Sequence, residues 1–231
     1  MKKVFFLVNS LLDWDFNHLI IKYLTDVAVF IGVEFPPSSD DYDLIVFWNY
    51  RRIVPGVGNK RNIILFHGSD LPVGRGWAPI YYAFSRKDKY YTISGILPAD
   101  KVDSGEIIVK AKFKIKDFYT AEMVRTFDNE IEFMLIRDIL IKYDGRELQG
   151  TPQYGKGSDY KRRSPDDNEI PIDKPLTDLI PHLRGCEAKH PAFFFFNGVR
   201  YNIRIESDMK IEFPDDLAIT FFDPKFTMEK S

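Results

Sequence analysis

The chain of 231 residues carries one cysteine, Cys186, which excludes an internal disulfide and a cysteine-based zinc site. It has no apolar run approaching the ~18 residues of a membrane helix. The amino-terminal MKKVFFLVNS has two lysines and a short apolar run, but that run ends at Asn9. A signal-peptide core needs roughly 7–15 apolar residues, so this is not one. Charge of either sign is not in excess either. Against 34 Asp and Glu stand 32 Lys and Arg, for a net charge of −2. Bulk electrostatics therefore direct the chain to neither nucleic acid nor an anionic membrane, although local basic clusters such as YKRRS (160–164) stay open as anion sites. No internal repeat is visible. These absences point to a soluble, cytoplasmic protein.

What is present is enough for a core. At 45% hydrophobic, 15% aromatic and 29% charged, the chain suits one large domain, or a medium one with a small one. Residues 3–8 (KVFFLV) read as a buried strand. Residues 13–25 have helical spacing, with Phe16, Leu19, Ile20 and Leu24 on one face. VAVFIGVEF (27–35), stopped by Pro36-Pro37, LIVFW (44–48) and NIILF (62–66) are further strands. Strands apolar throughout, separated by helical or crossover segments, predict the α/β class: a Rossmann-like, mainly parallel sheet with helices on both faces. Residues 90–97 and 105–115 read as two more strands. A long helix over 120–143 carries Met123, Phe127, Ile131, Met134, Leu135 and Ile139 on one stripe, with Gly145 as its C-cap. The polar stretch 146–175 marks a transition, followed by a helix near 175–184 and two apolar runs joined at Asn197-Gly198, a hairpin signal. The expected division is a first domain over 1–145, and over 146–231 a linker with a small α+β subdomain containing the hairpin.

The chemistry concentrates in one stretch, 61–84, where the strand NIILF gives way at His67 to GSDLPVGRG. In open α/β sheets ligands gather at the carboxyl ends of strands, so His67 is a candidate site residue. The small residues after it let backbone N–H groups face a ligand. Arg75, between two glycines, suits an anion or a tight turn. Asp103, in VDSGE, is by itself a surface turn; in a parallel sheet its loop would lie at the same end as His67, bringing an acid to a histidine.

His67, Ser69, Leu71 and Pro72, then Arg75-Gly76, then Ala78-Pro79, followed by Asp103, Gly105 and Ile107, form an ordered set. This set resembles the signature of the folate-dependent formyltransferases, the family of methionyl-tRNA formyltransferase and the sugar N-formyltransferases. YRRIVP (50–55) resembles the segment that borders the folate pocket in that family. TPQ (151–153) and RRSPDDNEIPID (162–173) resemble its linker, and HPAFFFFNGVRYNI (190–203) the terminal hairpin of its bacterial sugar-modifying members. The likeness covers roughly residues 44–205.

The resemblance implies a metal-free transfer of the formyl group of N10-formyltetrahydrofolate, the co-substrate, to a primary amine. His67 would stabilise the oxyanion or shuttle a proton, with Asp103 orienting it and helping to deprotonate the amine. Arg52, Ile53, Val54 and the loop containing Asp100 would hold the pterin, and Ser69, Asp70, Leu71 and Pro72 would line the folate site near the reacting centre. Arg75, Gly76 and Trp77 would face the acceptor, a nucleotide-linked amino-deoxy sugar, most simply a dTDP sugar of surface glycans. Tyr160, Lys161 and Arg163 would meet its pyrophosphate, or else form a solvated basic turn. A homodimer is implied, with the apolar hairpin at the contact, and no nucleic-acid or membrane partner. Two departures stand out. Leu65 occupies the place of the family's catalytic asparagine, with Asn49 either a substitute donor or a solvated loop residue, and the segment before YRRIVP is short. The alternatives are a formyltransferase-like binding protein without turnover, or an enzyme for another amine such as methionyl-tRNA.

Overall fold

On the first strand, β1 (Lys2–Leu7), successive side chains point to opposite faces of the sheet. Val4, Phe6 and the following Val8 enter one apolar cluster, Phe5 and Leu7 another, and all five are buried. A strand dry on both faces belongs in the middle of a sheet. In the computed structural model, which describes residues 1–143 and 147–223, that is where it lies.

Beside β1 run β2 (Val27–Gly32) and β3 (Leu44–Phe47), and beyond β3 lies β4 (Ile63–His67), all four parallel. The sheet then reverses. Strands β6 (Tyr90–Ile96), β7 (Ile107–Lys114) and β11 (Ala218–Phe221) continue it antiparallel, in the order β11-β7-β6-β4-β3-β1-β2. Two short strands, β5 (Arg75–Gly76) and β8 (Asp159–Tyr160), pair with each other outside this sheet, and β9 (Ala192–Phe196) and β10 (Val199–Ile203) form the hairpin. Both central residues of its turn, Asn197 and Gly198, have positive φ (50° and 76°), the backbone that the Asn-Gly pair favours. The expected α/β sheet is thus present, with its parallel strands in the first half of the chain.

The helical cover differs from the expected one. Helices α1 (Asn17–Tyr23), α2 (Pro79–Ser85) and α3 (Ala121–Lys142) all contribute to the same cluster on one face. The opposite face, with Phe5, Leu7, Ile45, Phe47 and Ile63, is closed by Phe35, Tyr42, Tyr50, Val54 and Val57 from loops. A fourth helix, α4 (Leu176–Gly185), packs on α2. The first helix is shorter than its periodicity suggests. A 3-10 turn over Leu11–Asp13 precedes it, and Trp14 stays extended with its ring edge-on against Phe6 and Phe16. Gly145, the expected C-cap of α3, lies outside the described residues.

Helix α3 buries most of its expected stripe, with Met134 only half-buried, and also buries two carboxyls one turn apart, Asp128 and Glu132. The Tyr91 hydroxyl donates to Asp128 at 3.2 Å, and Arg125 reaches the other oxygen at 3.3 Å. Desolvation raises the pKa of both acids; at Asp128 the Arg125 charge and the Tyr91 hydroxyl oppose that rise. Glu132 is pushed well above the usual carboxylate range by burial and by the neighbouring Asp128. We assign the charge to Asp128 and the proton to Glu132.

Two predictions follow from this packing. A methyl group on Gly105 would overlap the Leu97 carbonyl oxygen, a backbone atom that cannot step aside. Gly105→Ala should therefore cost about 3 kcal/mol, the upper end for overpacking, read as a lower urea midpoint. A carboxyl whose folded-state pKa is raised contributes stability below its unfolded value near 4.3, and that contribution is lost as pH rises. Glu132→Gln, which keeps the neutral shape, should raise the urea midpoint at pH 7 and leave it unchanged near pH 4.

Candidate active site

His67 is the last residue of β4 and is 8% exposed. Its Nε2 lies 2.8 Å from the Gly74 carbonyl oxygen. A carbonyl only accepts, so Nε2 carries the hydrogen. The other ring nitrogen, Nδ1, lies 3.5 Å from Asp103 Oδ2, and that same oxygen accepts the Gly76 N–H at 2.9 Å. With Nε2 protonated, Nδ1 turns a lone pair to the carboxylate unless a second proton sits between them. At 3.5 Å the pair is a close electrostatic contact, longer than a normal hydrogen bond.

Both ends of this pair are tied to one strap, residues 74–76. Gly74 and Gly76 have φ of 77° and 99°, backbone that side chains rarely adopt. The strap is held in turn by the β5–β8 pairing and by Ser158, whose carbonyl accepts from Gly74 N and Arg75 N at 2.9 and 3.0 Å. Asp103 has φ 49°, a left-handed backbone that aspartate tolerates better than most residues. Its route to His67 is not the parallel one expected from sequence. Because Leu65 pairs with Ile96 and His67 with Ser94, β6 runs against β4 and leaves at the level of Leu65. The loop 97–106 then has to turn back to deliver Asp103.

Gln153 fixes that return. Its Nε2 donates to the Asp103 and Gly105 carbonyls at 2.8 and 2.9 Å, while its Oε1 accepts from Arg75 at 2.8 Å. In sequence it was only one letter of the TPQ segment; nothing local marks a glutamine that bridges three segments. Lys110 is a second residue missed. It pairs with Asp70 and donates to the Leu71 carbonyl at 2.8 Å, fastening the 69–72 loop to β7.

The expected folate-facing residues divide into two groups. Ser69, Asp70, Leu71 and Pro72 follow His67 directly. Ser69 is 6% exposed, its carbonyl accepts from Ser94 Oγ at 2.7 Å, and its own Oγ is buried without a partner. Arg52 and Ile53 are exposed on the loop 48–62, and Val54 packs on the second-face cluster. Asp100 Oδ1 comes within 3.5 Å of where a Cβ on Gly58 would stand, so the loops 48–62 and 97–106 meet. At the departure noted in sequence, Leu65 packs against Leu71, Ile96, Ile107 and Phe222. The β3–β4 pairing ends with Phe47 beside Leu65, and Asn49 follows two residues beyond it. Asn49 is exposed with φ 50°, and its carbonyl accepts from Asn9 Nδ2 at 2.7 Å.

The expected acceptor-facing residues are not all together. Trp77 follows Gly76 and lies under the guanidiniums of Arg51 and Arg162. Tyr160 stacks on Tyr82 with ring centroids 4.2 Å apart and accepts from Arg86 at 3.1 Å. It lines a cleft of about 280 Å³ that also exposes Ser69, Arg86, Tyr90 and Lys112. Lys161 is exposed, its carbonyl bonded to Tyr82. Arg163 is turned into local structure, 3.4 Å from the Tyr81 ring centroid and bonded to the Asp167 carbonyl and Asn168 Oδ1. Among the described residues no cluster of three His, Cys, Asp or Glu could hold a metal ion, and no helix is long and apolar enough to cross a membrane.

No family model matches the chain. It is 30% identical over 149 residues to the methionyl-tRNA formyltransferase of Pediococcus pentosaceus, a match covering 62% of this chain and 45% of that protein. To the same enzyme of Pelagibacter ubique it is 27% identical over 167 residues, covering 71% and 54%. The chain thus spans about half the length of the curated relatives it matches. Among solved structures, methionyl-tRNA formyltransferase from Clostridium thermocellum superimposes with a TM-score of 0.73 at 20% identity, over 96% of this chain and 100% of that one. A 4-N formyltransferase from Francisella tularensis gives 0.70 at 16%, over 90% and 99%. HypX from Aquifex aeolicus, solved with tetrahydrofolic acid, gives 0.64 at 13%, over 93% and 40%. At such identities the structural likeness establishes the fold. The chain shares the fold of the formyltransferases and is similar in sequence to methionyl-tRNA formyltransferases over about half their length.

Proposed function

We propose that the chain transfers the formyl group of N10-formyltetrahydrofolate to the amine of a nucleotide-linked amino-deoxy sugar. The observation that carries the reading is the His67–Asp103 pair, 3.5 Å apart and held at both ends by the strap. A neutral amine attacks the formyl carbon, the new C–N bond forms, and the bond to N10 breaks. Negative charge develops on the formyl oxygen and collapses back as the C–N10 bond breaks, and the proton lost by the amine is returned to N10 as tetrahydrofolate leaves. With its Nε2–H committed to Gly74, His67 serves as the proton shuttle through Nδ1, and Asp103 orients it and helps to take the proton from the amine. Ser69 to Pro72 and the loops carrying Arg52 to Val54 and Asp100 form the folate side.

The sugar acceptor is supported by the fold shared with a sugar N-formyltransferase from Shewanella, TM-score 0.63 at 18% identity over 91% of this chain and 99% of that one, and by a net charge of −2, which offers tRNA no bulk attraction. Methionyl-tRNA is the second reading, favoured by the sequence matches. The apolar face of the hairpin, with Phe196, Val199 and Tyr201 exposed, is the proposed dimer contact.

Tetrahydrofolate release with a panel of dTDP-amino sugars, and separately with methionyl-tRNA, distinguishes the acceptors. Release with neither, despite folate binding, would leave only the binding protein. His67→Ala and Asp103→Ala should each lower kcat by about 10²–10⁴ without changing the far-ultraviolet circular dichroism. Wild-type turnover in both variants would sink the assignment. With Leu65 unable to donate, Asn49→Ala should lower kcat by about 10²–10³, the usual loss for an oxyanion donor, while KM for folate changes little.

A further inference from the structure

Two guanidiniums converge on the Trp77 ring: Arg162 Cζ lies 4.6 Å from its centroid and Arg51 Cζ 5.9 Å. The two cations therefore lie no farther apart than those distances combined, although like charges repel. Elsewhere in the molecule Arg61, Arg86, Arg125 and Arg137 each pair with a carboxylate. Arg163 and Arg184 bond carbonyl oxygens instead, whereas among the described residues Arg51 and Arg162 have neither a carboxylate nor a carbonyl partner for their guanidiniums. A chain with a net negative charge thus sets two arginines without a carboxylate partner against one indole ring.

The place is fixed on three sides. The Arg51 N–H donates to Asn9 Oδ1 at 3.0 Å, and Asn9 also holds Asn49. Trp77 follows Gly76, whose N–H is bonded to Asp103. Arg162 comes two residues after Tyr160, which the β5–β8 register sets opposite Gly76. The backbones are anchored while the guanidiniums stay exposed, the arrangement of a preorganised cation pair that lacks its anion. The exposed Trp77 ring supplies a surface against which guanidiniums can lie without desolvation.

We infer that Arg51 and Arg162, carried on Trp77, form an oxyanion subsite at the mouth of the His67–Asp103 pair. It takes the phosphate or carboxylate groups of one of the two reactants. Which reactant rests on the formyl-transfer reading; that an oxyanion binds here does not. Both arginines lie in segments singled out in the sequence, YRRIVP and YKRRS, but neither was named there as a site residue; Lys161 and Arg163 were read as the cations. Arg163 is committed to Asp167 and Asn168, whereas Arg162 is the one turned to Trp77.

The test uses the full chain without formyl donor, read by tryptophan fluorescence and titration calorimetry. Its probes are inorganic pyrophosphate, thymidine 5′-diphosphate and N-(4-aminobenzoyl)-glutamate, the last carrying the carboxylates of a folate tail. Arg51→Gln and Arg162→Gln should each weaken the bound probe about fivefold, as expected for partly exposed charge pairs, and the double variant more than tenfold. Arg51→Lys should keep part of the affinity, and affinity should fall as salt rises. Arg204→Gln, which removes one exposed charge near the hairpin, should change nothing. Loss for the two diphosphates assigns the subsite to the acceptor, and loss for the aminobenzoyl compound assigns it to folate. Absence of binding by all three probes, or affinities equal in wild type and double variant, overturns the subsite. Formyl transfer is assayed separately, so a failure of one reading leaves the other measurable.

Discussion

The site depends on a short strap of backbone. Gly74 offers a carbonyl to one nitrogen of His67, and Gly76, two residues on, offers an N–H to the acid that faces the other nitrogen. One peptide segment thereby fixes the tautomer of the histidine and the orientation of the aspartate together. Neither side chain could do this for the other at 3.5 Å alone. The strap can do so because its glycines adopt positive φ and because β8 pairs against it. This explains why residues from the linker, more than eighty positions after His67, are part of the site. Ser158 and Gln153 bring no chemistry of their own; they hold the strap and the acid loop in register.

The reversal in the sheet explains the rest of the scaffold. Had β6 run parallel to β4, Asp103 would have followed a strand at the carboxyl end, as in a simple crossover. It runs antiparallel, so the loop 97–106 starts at the wrong level and must double back. That return needs the close approach at Gly105, where the Leu97 carbonyl leaves no room for a side chain, and the two donors of Gln153. Beneath it, Tyr91 on β6 links the far face of the sheet to Asp128 and Arg125 on α3. Its hydroxyl also lies where a side chain on Gly68 would have to go. The glycine after His67 is therefore explained by the helix side of the sheet, not by a ligand.

The legible parts of the sequence were those governed by local physics. Apolar runs gave the strands, helical spacing gave α3, and Asn197-Gly198 gave the hairpin turn. His67 and Asp103 were legible as a pair because they sit in a recognisable order with their loop residues. The direction of β6 was not, since an apolar run carries no sign of which way it is paired. The two-sided helical cover failed for a similar reason: loop aromatics such as Tyr42 and Tyr50 close the second face as well as a helix would. The cations failed differently. Lys161, Arg162 and Arg163 are consecutive, and only their backbone directions decide that Arg163 caps the turn at Asp167 while Arg162 reaches Trp77.

Leu65 is where packing and chemistry compete most directly. Its side chain joins Leu71, Ile96 and Ile107, and so helps to seat both the loop after His67 and the start of the loop that carries Asp103. An asparagine at this half-buried position would replace apolar packing in that cluster with an amide and loosen both loops. The site thus keeps its loops in place with an apolar residue where a donor would serve the oxyanion. A candidate for another donor follows the neighbouring strand, where Asn49 stands two residues beyond Phe47, the partner of Leu65. The Asn49 carbonyl is tied down by Asn9, and among the described residues its side-chain amide has no partner. A left-handed asparagine with its backbone held and its amide unbound, two residues past the end of β3, is the group on the neighbouring segment free to supply the hydrogen bond that Leu65 does not, since both ring nitrogens of His67 are engaged.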